Sequence, residues 1–395
     1  MVLQDTIMFQ AAEDSIGVDG VECSNMNKDA SSTSSEFSSC SETSKKNYLQ
    51  QSTANEQQQM CSDTTMTTTT TTEPVLLVDV WERYQQIQLI AEGTTCTVWM
   101  ARKQQQQQQS SCVGEQQEQQ QHVAVKVSTS PQHCAEFCNE VKLLRTVNHP
   151  NIVRMFDCSN QNNSDNQVSI VLEHLTGGDL LRQLPYTEDE AARVLYKLLS
   201  ALQYLHHERG IVHRDIKPQN IMFDAATGEP KLIDLGLGRQ LQDDLGETMS
   251  ERVGSLLFMS PQVLQGSYTY KTDLWSVGAL AYLMFSGRIP FGGDTEEEIS
   301  QKILRGTPAP MKGPAWRRVS ASAKTLVLSL LTVDDDLRPT AALAAAHEFF
   351  QQRGYCTTTT SSGSSSGLLQ RNFACRCSAE CACALPAPQQ PPISI

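Results

Sequence analysis

Ile211-Val-His-Arg-Asp-Ile-Lys-Pro-Gln-Asn220, followed by Lys231-Leu-Ile-Asp-Leu-Gly236, decides how this chain is read. The first stretch puts a carboxylate (Asp215), an ammonium (Lys217) and an amide (Asn220) on one tight loop. The second ends a short apolar strand on another carboxylate, Asp234. Phosphoryl transfer needs a group to accept a hydroxyl proton, oxygen ligands for metal ions, and a cation for the charge that builds on the phosphate. These four side chains meet those needs.

With both motifs in the expected order, the wording from His213 to Asn220 resembles the eukaryotic protein kinases, in their serine/threonine branch. The resemblance implies a bilobal α+β fold: a small antiparallel sheet plus one helix in the N-lobe, then a mainly helical C-lobe. ATP would lie in the cleft. Asp215 would accept or orient the substrate hydroxyl proton and Lys217 would balance phosphoryl charge. Asn220 and Asp234 would hold Mg2+, which takes oxygen ligands.

Upstream of the motif, Tyr84 to Leu89 alternates apolar and polar residues like a strand. Ile90-Ala-Glu-Gly-Thr-Thr-Cys-Thr-Val98 then resembles the kinase glycine-rich loop, in which small residues let backbone amides close over phosphates. Of the family's three glycines only Gly93 remains; Ala91 and Cys96 take the outer positions. In His122-Val-Ala-Val-Lys-Val127, Lys126 matches the nucleotide lysine. A helix is expected over about 132–146. Glu140 on it would pair with Lys126, in preference to Glu136 one turn earlier, because Leu143-Leu144 and His149-Pro-Asn-Ile-Val153 follow as in the family. Glu173-His-Leu175 would be the hinge, its backbone holding the adenine. The resemblance thus assigns Ala91, Gly93, Val98, Ala124, Lys126, Glu140, Glu173, Leu175 and Met222 to the ATP pocket. An amphipathic helix is expected over 187–209, opened by a Thr187/Glu190 capping box.

Downstream, His213 and Leu235 would pack with Leu144 as a column between the lobes. Arg214 implies control by an anion on the activation segment, and Glu251 is the candidate for a permanent one. Ser255 would bond Asp215 and Lys217, which argues against tyrosine specificity. Gln262 stands where the family has an acid paired with a buried arginine, here Arg338. That loss puts the rigidity of the substrate platform in question. Asp334, Asp335 and Asp336 are the candidates to compensate. Asp273 matches the aspartate that braces the catalytic loop. Pro290 to Ile303 resembles the calcium-dependent and calcium/calmodulin-dependent kinase group.

The domain reading is a disordered Ser/Thr/Gln-rich tail over 1–80, a kinase domain over 81–352, and a disordered tail over 353–395. The domain divides into an N-lobe over 81–175, carrying a Gln-rich insertion over 103–122, and a C-lobe over 176–352. The N-terminal tail has too little apolar surface to offset its ordering entropy. Cys375, Cys377, Cys381 and Cys383 have paired spacing that suits zinc or S-acylation; an unmodified tail is the plainer expectation. The formal charge of −13 argues against non-specific nucleic-acid binding and leaves room for basic protein substrates. No signal peptide or transmembrane run is expected. Thirteen cysteines without an even framework fit a reducing compartment, cytoplasmic or nuclear. The competing reading is a nucleotide-binding scaffold without catalysis, motivated by the altered glycine loop and Gln262. A membrane-tethered adaptor using the cysteine tail is the third.

Overall fold

The computed structural model describes residues 79–104, 122–160, 167–242, 245–359 and 371–375. All lie in one compact unit. The readings made for residues 1–78, for 105–121 of the glutamine insertion and for the cysteines beyond Cys375 fall outside them.

The N-lobe is a five-stranded antiparallel sheet in the order β1-β2-β3-β5-β4. Its strands are β1 (Tyr84–Glu92), β2 (Cys96–Lys103), β3 (His122–Ser128), β4 (Met155–Asn160) and β5 (Val168–Glu173). The alternation of β3 decides where its lysine goes. Val123, Val125 and Val127 bury on one face with Tyr84, Ala101 and Val171, so Ala124 and Lys126 take the other. Val80 is fully buried in the same cluster, on a short helix α1 (Val80–Arg83) that Asp79 caps through the Trp81 N–H. A buried residue of this cluster thus stands one position ahead of the expected boundary at 81, which the sequence does not reveal by periodicity. The insertion is likewise shorter than expected: Lys103 and His122 are strand residues.

The longer N-lobe helix, α2 (Cys134–Leu144), follows a 3-10 turn over Pro131–His133. It buries Phe137, Glu140, Val141, Leu143 and Leu144. After it, the loop from His149 to Val153 fastens the lobes together. Val153 N donates to Leu232 O (2.9 Å) and Leu232 N to Asn151 O (2.9 Å). His149 Nδ1 accepts the Asn151 N–H at 3.1 Å, its Nε2 lies 3.3 Å from Ser200 Oγ, and its ring packs on Tyr204. Burial, with Lys197 and Lys231 nearby, pushes the imidazole down to about 4. The unfolded chain titrates near 6.5 and so binds more protons below that value, which means stability falls as pH drops from about 6.5 to 4. We expect a loss on the order of 2 kcal/mol after discounting for partial exposure. Urea titrations across this window will show a flatter pH dependence for His149→Gln; an unchanged slope would count against this account.

The C-lobe helices are α3 (Glu188–Gln203), α4 (Pro261–Gln265), α5 (Thr272–Ser286), α6 (Glu296–Arg305), α7 (Pro314–Arg317), α8 (Ala321–Leu330), α9 (Ala341–Ala345) and α10 (Glu348–Gln351). Of α5, every residue from Thr272 to Phe285 is buried, so it forms the centre of the lobe. The capping box at Thr187 and Glu190 is formed. The helical stretch it opens runs to Arg209, as expected, but it is regular α-helix only to Gln203, and Tyr204–Glu208 make one π-helical turn. That turn lets Tyr204 OH accept from Asn148 N (2.9 Å) and Arg209 Nε (2.7 Å) while His206 reaches Asp273 (2.8 Å). Competing side-chain contacts override the helical register.

Contacts with the C-lobe continue past 352. Arg353 pairs with Glu188 and Asp189 and lies 4.1 Å over the Phe349 ring, and Tyr355 stacks on Tyr196 at 4.6 Å. Beyond it, the stretch expected to be unstructured includes an antiparallel strand pair, Tyr355–Thr359 with Arg371–Cys375. Three consecutive threonines in the first strand, β-branched at each position, favour it. Among the described residues no helix is long and apolar enough to cross a membrane.

Candidate active site

The catalytic-loop residues lie between the short pairs β6 (Ile211–Val212) with β9 (Arg239–Gln240) and β7 (Ile221–Phe223) with β8 (Pro230–Leu232). Asp215 is buried and its two oxygens are separately engaged. Oδ1 accepts from Ser255 Oγ at 3.0 Å; Oδ2 accepts from Asn220 Nδ2 at 3.0 Å and lies 2.9 Å from Lys217 Nζ. Lys217 Nζ also donates to Ser255 Oγ (3.2 Å), which closes the ring expected from sequence. Asn220 Nδ2 donates a second time, to Asp215 O at 2.8 Å. With both amide hydrogens used, its oxygen is left as an acceptor.

Asp273 holds this loop from below. Its Oδ2 accepts from His213 N (2.9 Å) and His206 Nε2 (2.8 Å), and its Oδ1 from Arg214 N (2.8 Å). Arg214 is in the left-handed region, φ 68°, a conformation that costs a non-glycine residue about 1 kcal/mol or more. His213 Nδ1 accepts the Asp215 N–H (3.3 Å), so its Nε2 carries the hydrogen that meets Ile233 O (3.2 Å). His213, Leu235 and Leu144 are all buried, as the expected column requires.

Across the cleft, Lys126 Nζ lies 2.8 Å from Glu140 Oε2 and 3.0 Å from Asp234 Oδ1. Glu140 is thus the partner and Glu136 is exposed. Burial opposes the Lys126 charge, but Glu140 and Asp234 outweigh it and hold the ammonium above its ordinary range. Burial likewise pushes the Asp234 carboxyl up, and Lys126 with the Gly236 N–H brings it below the usual carboxylate value. The Asp234 carboxylate and the Asn220 side-chain oxygen are both hard oxygen donors of the kind Mg2+ takes. The Gly93 turn joins β1 to β2 through Gly93 N to Cys96 O (2.9 Å). Ala91 pairs with Val98 just after a register shift in β1, and Cys96 pairs with Ser128, so both outer positions belong to strands. Burial raises the Cys96 thiol, which keeps it protonated. Ala124 pairs with Leu172 at the end of the sheet nearest the hinge. The Glu173 carboxylate accepts through Oε1 from Lys231 Nζ (2.9 Å) and Arg154 N (2.8 Å). Leu175 is buried, and Met222 is half-buried opposite Lys231.

Arg214 Nη1 meets Glu251 Oε2 at 3.3 Å. Two partners were not read from the sequence. Arg239 bridges Glu251 (2.8 Å) and Glu247 (2.9 Å), and Tyr268 OH donates to Glu251 O (2.8 Å). Burial raises the Glu251 carboxyl, but backbone N–H groups, Arg239 and Arg214 outweigh it and hold it low. The substitution at Gln262 is compensated. Arg338 uses all five donors: Nε to Thr332 O, Nη1 to Lys271 O and Asp335 Oδ1 (2.7 Å), Nη2 to Gln262 Oε1 (2.8 Å) and Val333 O. Asp335 supplies the missing charge, and burial still pushes the guanidinium down to about 10.

The two motifs of the catalytic loop and of Asp234 thus face Lys126 and Glu140 across one cleft, and a protein kinase domain model matches residues 84–350. The chain belongs to the protein kinase family. This kinase is 33% identical over 232 residues to calcium-dependent protein kinase 3 of Plasmodium berghei (strain Anka), covering 57% of the chain and 41% of that relative. To CDPK-related kinase 1 of Arabidopsis thaliana it is 36% identical over 238 residues, 57% of the chain and 40% of the relative. To the CDPK-related protein kinase of Daucus carota it is 35% identical over 218 residues, 53% and 35%. The resemblance to the calcium-dependent group is borne out, and the kinase spans about two fifths or less of the length of these relatives.

Proposed function

We propose that this kinase is active and transfers the γ-phosphate of Mg-ATP to serine and threonine hydroxyls of protein substrates. The observation that carries the reading is the ring of Asp215, Lys217 and Ser255, complete opposite an ion-paired Lys126, Glu140 and Asp234. Asp215 would orient the substrate hydroxyl and take its proton. Lys217, bonded to Asp215 and Ser255, would balance charge on the moving phosphoryl group. Lys126 would hold the nucleotide phosphates. Asn220 and Asp234 would bind Mg2+, which supplies positive charge against the phosphate oxygens when bound. Nearly all of this is positioning and electrostatics, which is what the reaction asks of a protein. Ser255 fastened to both Asp215 and Lys217 supports a serine/threonine acceptor.

The test is transfer of labelled phosphate from Mg-ATP to a mixed peptide library, with Asp215→Asn as control and phosphoamino-acid analysis of the product. Label on tyrosine would overturn the acceptor class. Nucleotide binding with no transfer above the control would favour the scaffold, for which Ala91 and Cys96 are the motive and the joined Lys126–Glu140–Asp234 set is the counterargument.

Glu251 would stand in for an activating phosphate, so protein made without upstream kinases should already be active. Glu251→Ala is expected to lower kcat/KM about tenfold, the equivalent of roughly 1.4 kcal/mol. Unchanged activity in that variant would sink the substitution idea.

A further inference from the structure

The backbone that follows Asp234 is gripped from both lobes. Asn139, on α2 directly before Glu140, donates through Nδ2 to Gly238 O at 2.7 Å and to Gly236 O at 3.1 Å. The carbonyl between them, on Leu237, accepts from Arg214 Nε at 2.7 Å. Three consecutive carbonyls are thus held, two from the N-lobe and one from the catalytic loop. The carboxamide nitrogen has two hydrogens, and both are used. Two features say that the grip is needed. Asp234 sits in the left-handed region at φ 63°, which a non-glycine residue does not adopt unaided. Gly238 approaches α2 so closely that a Cβ there would lie 2.7 Å from Leu143 Cδ1.

We propose that Asn139 is a positioning residue for phosphoryl transfer. It ties α2 to the turn after Asp234, so that the Glu140 partner of Lys126 and the Asp234 carboxylate come into place as one unit. This rests on the kinase reading above. If Asn139 were an ordinary helix residue, alanine would be neutral or slightly stabilising, since asparagine is a poorer helix former. Aspartate, the same size, would then behave like the wild type. The clip predicts the opposite for both. Asn139→Ala loses two donors, and Asn139→Asp turns a carboxylate toward two carbonyl oxygens.

The experiment measures kcat and KM for ATP, the melting temperature, and nucleotide affinity by calorimetry with and without magnesium, in wild type, Asn139→Ala and Asn139→Asp. We expect kcat to fall by about 10- to 100-fold in Asn139→Ala, the scale for a misplaced catalytic group, and further in Asn139→Asp. The gain in nucleotide affinity that magnesium brings should shrink in both, while affinity without magnesium stays near the wild type. A kcat within twofold of wild type in Asn139→Ala, or a wild-type-like Asn139→Asp, overturns the proposal. If the wild type itself transfers no phosphate, the kinase reading falls, and the magnesium-dependent gain alone decides. Its loss in the variants supports the clip, and its persistence overturns it.

Discussion

The Asp215→Asn variant will transfer phosphate about a thousandfold more slowly than wild type, within the range ascribed to a positioned general base. Its fold should be almost untouched. The carboxylate oxygens serve Ser255, Asn220 and Lys217, and an amide can reproduce most of this. Its oxygen can stay toward Asn220 and Lys217. Its nitrogen then meets Ser255 Oγ, a hydroxyl that can accept as well as donate. What the amide lacks is the ability to take a proton and the negative charge that steadies Lys217. Steady-state kinetics should therefore show a collapsed kcat with a KM for ATP within about threefold of wild type, the pattern of an interaction made only in the transition state. A variant as fast as wild type would remove Asp215 from the chemistry. A variant with a sharply lower melting temperature would mean that its role is structural.

How much of this was legible depended on whether a residue's partner was near it in sequence or set by a motif. The catalytic loop was readable because Asp215, Lys217 and Asn220 share one short stretch. Glu140 was chosen over Glu136 by its following residues, and the ion pair to Lys126 agrees with that choice. The lysine's direction needed only the two-residue period of β3. The misses have a common cause. Asn139 bonds backbone carbonyls about 100 residues away, and carbonyls carry no sequence signature. Arg239 and Glu247 belong to a salt-bridge network whose geometry depends on the path of the activation segment. The π-helical turn at Tyr204 comes from contacts with Asn148 and Asp273, which lie outside the helix. The doubt about Gln262 went the other way. Three candidate aspartates were visible, but only the structure shows that Asp335 is the one facing Arg338.

The second large effect is expected at Asp273, and it should differ in kind. Asp273 is wholly buried and accepts three N–H groups, from His206, His213 and Arg214. Asparagine keeps one acceptor oxygen and turns an NH2 toward donors, so at least one buried N–H is left without a partner. Breaking such a site should cost about 3 to 5 kcal/mol, which for a domain of this size lowers the melting temperature by roughly 10 °C. Activity should fall too, by at least about 100-fold, because Arg214 loses the bond that holds its left-handed backbone and Asp215 is the next residue. Acid gives a separate check. Burial works against the Asp273 carboxylate, but the hydrogen bond and charge of His206, with His213, keep its folded value below the unfolded one. A depressed carboxylate adds stability that is present above the unfolded value, near 3.9, and is lost as pH falls through the lower folded value. The stability gap between wild type and Asp273→Asn should therefore be full at neutral pH and close below about pH 4. If Asp215→Asn loses rate with stability intact while Asp273→Asn loses both, the loop is a rigid part whose placement and chemistry are carried by different carboxylates. Equal melting temperatures for Asp273→Asn and wild type would instead mean that the catalytic loop keeps its shape without the brace.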